Sequence, residues 1–285
     1  MEQRVIGTRR VGAIGLGAMP LSIEDRPDQA QAVRTIHAAL DAGVTLIDTA
    51  NAYHEGAGER GQNERLVGAA LRSWPGGGDG ILVATKGGHV RPGDGRWEVD
   101  GRPEALRAAC EASLRDLGVE AIGLYQFHRP DPRVPFEESV GALRTLQDEG
   151  KIVMAGLSNV TVAQIDSARR ILEIASVQNE FSPRFRSSLG ELRHCARLGV
   201  AFLPWSPLGG SGAAAELGRR HPAFAAVAAA RGASPQQVAL AWELAQGPVV
   251  IPIPGARRPE TILDSVQAAG LTLTAAELGR LDAEA

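Results

Sequence analysis

The feature that most constrains this chain is an alternation. Short apolar runs, many ending in a polar residue, recur along its 285 residues with helical stretches between them. The runs are GAIGLG (12–17), VTLIDTA (44–50), GILVATK (80–86), IGLYQFH (122–128), IVMAGLSN (152–159), ASVQNE (175–180), VAFLPWS (200–206) and VVIPIP (249–254), which makes eight candidate strands. They are too short and too unbroken to keep one face in water, and they read as strands buried on both faces of a parallel sheet. Between them, Asp28 to Ala42 places Ala32, Ile36, Ala39 and Leu40 on one helical face and stops at Gly43. Pro103 opens a helix lined by Leu106, Cys110, Leu114 and Leu117 and ended by Gly118. Further helices are expected over Pro135–Gly150, from Thr161 to near Ile174, over Ser187–Leu198 and over Ser234–Ala245, with Pro259 and Thr274 starting the last two. This alternation implies parallel βαβ units, and eight of them close as a TIM barrel, an α/β fold of (β/α)₈ type. Ahead of it, RVIGTRRVG reads as an N-terminal β-hairpin turning at Gly7-Thr8, suited to plug the barrel's N-terminal end. No linker interrupts the pattern, so residues 1–285 are expected to form a single domain. Two long loops, 87–102 and 207–233, follow strands and are expected to form the rim of the site. The second is expected to hold a short helix around Ala213–Arg220.

Several functional classes are excluded by charge and motif. The net charge is −3 with no long basic run, so nucleic acid has no electrostatic footprint here. No window of about 18 uninterrupted apolar residues is present, and no membrane span is expected. The opening MEQRVIGTRR has no apolar signal segment, and the only cysteines, Cys110 and Cys195, fall on amphipathic helical patterns as buried small side chains. A reduced, cytoplasmic protein is the expectation. Gly15-Leu-Gly17 is a weak echo of a dinucleotide-binding turn, because the third glycine is missing and Pro20 disfavours a phosphate-binding helix there. His37, His54, His89, His128, His194 and His221 lack metal-ligand spacing, so no metal is expected.

The chemistry is concentrated at the strand ends. In a barrel of this kind the C-terminal ends of the strands and the loops after them form the active site. The second candidate strand ends in Asp48 with Tyr53 just beyond, the third in Lys86 and the fourth in His128. An acid, a phenol, an amine and an imidazole on three consecutive strand ends suit carbonyl reduction. A hydride arriving at a carbonyl carbon generates an alkoxide, which needs a proton donor beside the oxygen. A phenol donates, but its free pKa of about 10 is high for neutral conditions. The Lys86 ammonium is expected to lower it, Asp48 to hold that ammonium charged, and a neutral His128 to hydrogen-bond the carbonyl oxygen.

Over nearly its whole length the sequence resembles the aldo-keto reductase superfamily. The resemblance rests on GVTLIDTANAY (43–53), ATKGG (84–88), LYQFHRPDP (124–132), GKIVMAGLSNVT (150–161), VQNEFSP (177–183), PWSPLGG (204–210) and IPIPGARRPETI (251–262), in the family's order and spacing. Within the family, LSNVT, VQNEFS and PLGG are closest to a bacterial branch that includes pyridoxal reductases. The resemblance implies a (β/α)₈ barrel that binds NADPH, with NADH as the less common choice, and a catalytic tetrad of Asp48, Tyr53, Lys86 and His128. It also implies cofactor contacts. Met19 ends the first strand beneath the ribose, Asp48 lies near the nicotinamide, and Ser158, Asn159 and Gln178 hold the carboxamide. Trp205 stacks on the nicotinamide, where the family usually has tyrosine or phenylalanine. Ser206, Leu208 and Gly209 wrap the pyrophosphate, and Gly255, Ala256, Arg257, Asp264 and Ser265 are the contacts expected at the adenosine end. The adenosine end departs from the pattern. Many members carry arginine where Thr261 stands, and Glu and Asn where Asp264 and Ser265 stand, which leaves Arg257 and Arg258 for a 2′-phosphate.

The expected partner is a small-molecule carbonyl substrate, its identity and the oligomeric state being illegible. Candidate pocket residues are His54, Trp97, Arg129, Phe181 and Trp205, and Arg129 reads equally as an anion contact or half of a structural salt bridge. The alternative function is a nucleotide-sensing, weakly active regulatory subunit of a larger assembly, as some relatives are. The complete tetrad argues against it.

Overall fold

The computed structural model describes residues 1–210 and 212–284; Ser211 of the second long loop and the final Ala285 lie outside them. The N-terminal hairpin pairs β1 (Gln3–Ile6) with antiparallel β2 (Arg9–Gly12). The barrel elements then run β3 (Leu16–Gly17), α1 (Gln29–Asp41), β4 (Leu46–Asp48), α2 (Gln62–Ser73) and β5 (Leu82–Gly87). A second small hairpin follows, β6 (His89–Val90) and β7 (Glu98–Val99), and then α3 (Pro103–Leu117), β8 (Ile122–Phe127), α4 (Phe136–Asp148), β9 (Ile152–Ser158) and α5 (Val162–Arg169). The chain finishes with β10 (Ile174–Gln178), α6 (Leu189–Leu198), β11 (Ala201–Phe202), α7 (Leu217–Arg220), α8 (Pro222–Arg231), α9 (Pro235–Leu244), α10 (Pro259–Gln267) and α11 (Ala275–Glu284).

Among the described residues, seven strands form one parallel sheet in the order β11-β10-β9-β8-β5-β4-β3. The eighth run, 249–254, closes it without forming a regular strand. On one side Phe202 N–H donates to Val249 O at 2.8 Å, and Ile251 N–H returns to Phe202 O at 2.9 Å. On the other side the carbonyls of Pro252 and Pro254 accept from Gly15 and Gly17 at 2.9 and 3.0 Å. Pro252 and Pro254 have no N–H to donate, so at those two positions the eighth run can only accept, while the Gly17–Gly255 bridge closes the ladder beyond them.

Strand alternation sorts the side chains. The barrel interior packs Leu46, Leu82, Ala84, Leu124, Met154, Ala175, Ala201, Leu203, Ile251 and Ile253, with Ile6 and Val11 of the hairpin in the same cluster. The hairpin is therefore the floor of the barrel. Its turn fits because Gly7 has φ +51° and no side chain: a Cβ there would meet Met154 Sδ at 2.7 Å. Moving up each strand, the inward residues turn polar, from Leu46 to Asp48, from Ala84 to Lys86, and from Leu124 to Gln126 and His128. Gly156 leaves room for this layer, since a Cβ at that position would collide with Ser176 Oγ and approach Gln126 Cγ to 2.9 Å.

Several boundaries differ from expectation. The helix capped by Thr161 ends at Arg169, and Ile174 begins β10. Loop 87–102 contains the β6–β7 pair rather than irregular chain alone. The second long loop holds a 3₁₀ turn (Ala214–Glu216) and α7 where the short helix was expected, and also α8. The sequence reading missed both α2 and α8. No helix is long and apolar enough to cross a membrane among the described residues.

Candidate active site

Three strand ends deliver the tetrad to one point. Asp48 closes β4, Lys86 lies near the end of β5 and His128 directly follows β8, where its N–H donates to Gly87 O at 2.9 Å. Tyr53 returns over the mouth because Ser22 Oγ donates to its carbonyl at 2.7 Å. Ser22 is held in turn by Asn63 at the start of α2, whose Nδ2 donates to Ser22 Oγ at 2.5 Å and to Ala18 O at 2.8 Å. Asn63 Oδ1 accepts from Thr49 Oγ1 at 2.6 Å. One buried amide therefore ties together the chain segments after β3 and β4.

The hydrogen bonds decide the direction of the phenol's proton. Lys86, fully buried, donates to Asp48 Oδ2 at 2.6 Å, Thr49 O at 3.0 Å and Tyr53 Oη at 2.8 Å. An ammonium has three hydrogens and no lone pair, so all its donors are used and Tyr53 Oη must be the acceptor. The phenol's own hydrogen is left to point elsewhere. Both Asp48 oxygens are engaged as well, Oδ1 accepting from Gln178 Nε2 at 2.7 Å and Gln126 Nε2 at 3.3 Å.

Burial raises the Tyr53 pKa above its usual value, while the Lys86 charge opposes that rise. Lys86 thus acts on the phenol in the expected direction, and burial, which the sequence does not spell out, outweighs it. Burial also works against the Lys86 ammonium, but Asp48 and Tyr53 outweigh it and the lysine pKa is raised. His128 is driven well below the usual imidazole range by burial, with His89, Lys86 and Arg129 adding to the effect, and is neutral. Its Nδ1 is enclosed without a partner among the described residues.

The other expected residues are distributed around this point. Met19 packs with Ile23, Ala50 and Tyr53, beside the phenol. Ser158 and Gln178 end β9 and β10. Asn159, at φ +59°, spends its amide within the protein: Nδ2 donates to His128 O and Ser158 Oγ, both at 2.9 Å, and Oδ1 accepts from Trp205 Nε1 at 3.2 Å. Trp205 is thereby fixed at the edge of the interior cluster. Ser206 (φ +51°) and Gly209 (φ +88°) turn the following loop, with Leu208 half-buried between them. Gly255 bridges Gly17, Ala256 is buried, and Arg257 Nη2 donates to Glu24 O at 2.8 Å.

Two expected residues have other engagements. Asp264 accepts from Ser234 Oγ at 2.8 Å and Gln237 Nε2 at 2.7 Å, which clamps α10 to α9 with both oxygens. Ser265 is buried and its Oγ donates to Thr261 O at 3.1 Å within the helix. Among the candidate pocket residues, Phe181 belongs to the core, stacked on Trp242 with ring centroids 5.4 Å apart. Trp97 meets Tyr53 edge-on at 6.3 Å and lies over the Arg91 guanidinium, 4.6 Å away. Arg91 pairs with Glu24 and donates to His54 O at 2.5 Å, which fastens the β6–β7 hairpin across the mouth. Gln126, Asn63, Ser22, His89 and Arg91 went unrecognised in the sequence. For Gln126 a signal existed, its place two residues before His128 on the same strand face.

A match to the model of the aldo/keto reductase family extends over residues 13–284. The chain belongs to that family. An uncharacterized oxidoreductase of Schizosaccharomyces pombe is 36% identical over 283 residues, covering 98% of this chain and 88% of the relative. A probable aldo-keto reductase of Glycine max is 34% identical, covering 96% and 86%. Among solved structures, the glycerol dehydrogenase of Gluconobacter oxydans superposes with a TM-score of 0.85 at 30% identity, over 99% of this chain and 94% of that one. An aldo/keto reductase from Klebsiella pneumoniae, solved with NADP and acetate, gives 0.82 at 28% identity, over 98% and 93%. As an aldo/keto reductase, the chain is an oxidoreductase that uses a nicotinamide cofactor to interconvert carbonyl and alcohol.

Proposed function

We propose that this aldo/keto reductase is an NADPH-dependent reductase of small aldehydes or ketones, pyridoxal-type aldehydes among them, acting in the cytoplasm as one barrel domain over residues 1–285. Tyr53 is the proton donor. The observation that carries the reading is the saturated Lys86 ammonium, which leaves the phenol hydrogen as the one free donor of the Asp48–Lys86–Tyr53 chain. Neutral His128 sits edge-on to Tyr53 at 5.7 Å and orients the carbonyl oxygen.

The residues fit a nicotinamide. The hydroxyl hydrogen of Ser158 and the carbonyl of Gln178 complement the two ends of a carboxamide. Trp205 offers a ring held at its Nε1, and Asn159 holds that ring. The cofactor supplies the hydride. Tyr53 supplies the proton, Lys86 stabilises the phenolate left behind, and Asp48 keeps Lys86 charged. Arg257 is the residue proposed for the 2′-phosphate, with Met19, Ser206, Leu208, Gly209, Gly255 and Ala256 along the rest of the cofactor. Asp264 and Ser265 contribute by holding α10 in place. The regulatory-subunit alternative gains no support from the intact tetrad.

The test is steady-state oxidation of NADPH and of NADH with a panel including pyridoxal, simple benzaldehydes and a methyl ketone. Turnover with NADPH preferred is the expected result. No turnover with either cofactor across the panel would reject the reading.

A further inference from the structure

Most arginines near the tetrad end of the mouth have a carboxylate partner. Arg91 pairs with Glu24, Arg96 with Asp94, Arg102 with Asp100 and Arg133 with Asp131. Arg129, which directly follows His128, has no carboxylate within ion-pair distance among the described residues, although the sequence allowed a structural salt bridge there. Its Nε instead donates to His89 Nε2 at 3.4 Å. His89 is set up to receive it. Its Nδ1 lies 3.1 Å from Glu98 O and must donate to that carbonyl, so Nε2 carries the lone pair. Burial, with Arg129 and Lys86 adding to it, pushes the His89 pKa down to about 4, and the ring stays neutral at physiological pH. The ring is itself wedged edge-on against His128 at 4.2 Å and Trp97 at 5.4 Å.

The consequence is an exposed cation at the mouth that is not neutralised by any carboxylate among the described residues. With Nε spent on a neutral acceptor, the Nη1 and Nη2 edge of Arg129 remains as a planar fork, the geometry that suits a carboxylate. Glu180, the acid that feels its charge, has no side-chain hydrogen bond among the described residues, and burial raises its pKa while Arg184 and Arg129 counteract that. We propose that Arg129, held at its Nε by His89 and directly following His128, binds a carboxylate on the carbonyl substrate. The preferred substrates are then aldehydes or ketones that carry an acid group. This inference rests on the reductase reading above.

A matched pair tests it: 4-formylbenzoate and its uncharged methyl ester, each reduced with NADPH by wild type, Arg129→Met and His89→Phe. Wild type should favour the acid. Arg129→Met should lower the acid-to-ester ratio of kcat/KM by about ten-fold or more, the scale of one charge-assisted hydrogen bond, mainly through KM. His89→Phe keeps the ring and removes the lone pair, so it should lower the ratio by a smaller factor. Equal use of acid and ester by wild type, or an equal loss on both in Arg129→Met, would overturn the proposal. Calorimetric binding of 4-(hydroxymethyl)benzoate to the NADPH-loaded protein separates the two failures. If neither aldehyde is turned over but the acid binds wild type and not Arg129→Met, the reductase reading fails while the anion site stands. Equal binding to both proteins sinks the anion site.

Discussion

The two ends of this mouth are built differently. At the tetrad end each buried ion has its partner: Lys86 is saturated by Asp48, Thr49 and Tyr53, and Asp48 accepts from Lys86, Gln178 and Gln126. Nothing must move for the proton to be delivered, which is what preorganisation requires. At the adenosine end Arg257 is half-buried and holds only a backbone carbonyl, Arg258 is exposed, and Asp264 is committed to α9. Among the described residues neither Arg257 nor Arg258 has a carboxylate partner, so that end presents cations around a turn. The contrast separates two tasks: chemistry tolerates little displacement, whereas anchoring a phosphate needs charge more than exact placement.

The largest expected effect breaks the tetrad end. Lys86→Met leaves Asp48 buried without its charge partner, a loss of about 3–5 kcal/mol of stability on the usual scale for a broken buried pair, readable as a lower melting midpoint. It also removes the charge that opposes the upward shift of the phenol, so the Tyr53 pKa should rise further. Alcohol oxidation, which needs the phenolate as base, should rise with pH in wild type, and in the variant this rise should move to higher pH. An unchanged profile would assign the titration to another group.

At the other end the effects should be smaller and confined to the cofactor. Arg257→Ala should weaken NADPH binding about ten-fold to a hundred-fold, the range of a lost charge-assisted hydrogen bond, with NADH binding little altered. Equal weakening of both would remove the 2′-phosphate assignment. Asp264→Ala should lower stability by about 1 kcal/mol through the α9–α10 clamp, and leave the NADPH dissociation constant nearly unchanged. A selective loss of NADPH affinity would instead return Asp264 to the cofactor. Trp205→Leu should abolish most of the quenching of tryptophan emission by NADPH. Persistent quenching that disappears in Trp97→Leu would mean that the hairpin, not Trp205, covers the nicotinamide.

The same contrast governs what the sequence disclosed. A polar residue ending an apolar run is visible without knowing any contact, so Asp48, Lys86 and His128 were legible, and the TIM barrel with them. The Arg91–Glu24 pair and the His89–Arg129 contact join residues far apart in sequence and leave no periodic trace. Helix α2 begins after a left-handed Gly61 and buries the polar side chains of Asn63 and Glu64, which blurs its apolar stripe. Helix α8 was hidden in an alanine-rich stretch that reads as compositional bias. Asp264 was placed on the right helix, but its tertiary partners on α9 decide what its carboxylate touches. The direction of the Tyr53 shift also depended on depth of burial, which the chain does not spell out.

The central claim is that Tyr53 delivers the proton while the rest of the mouth is already in place. The direct measurement is turnover and NADPH affinity of Tyr53→Phe, which keeps the ring and deletes the free hydrogen. Turnover should fall by at least about 10²-fold, the low end for a general acid, with the NADPH dissociation constant within about two-fold of wild type. Turnover within a few-fold of wild type would contradict the account.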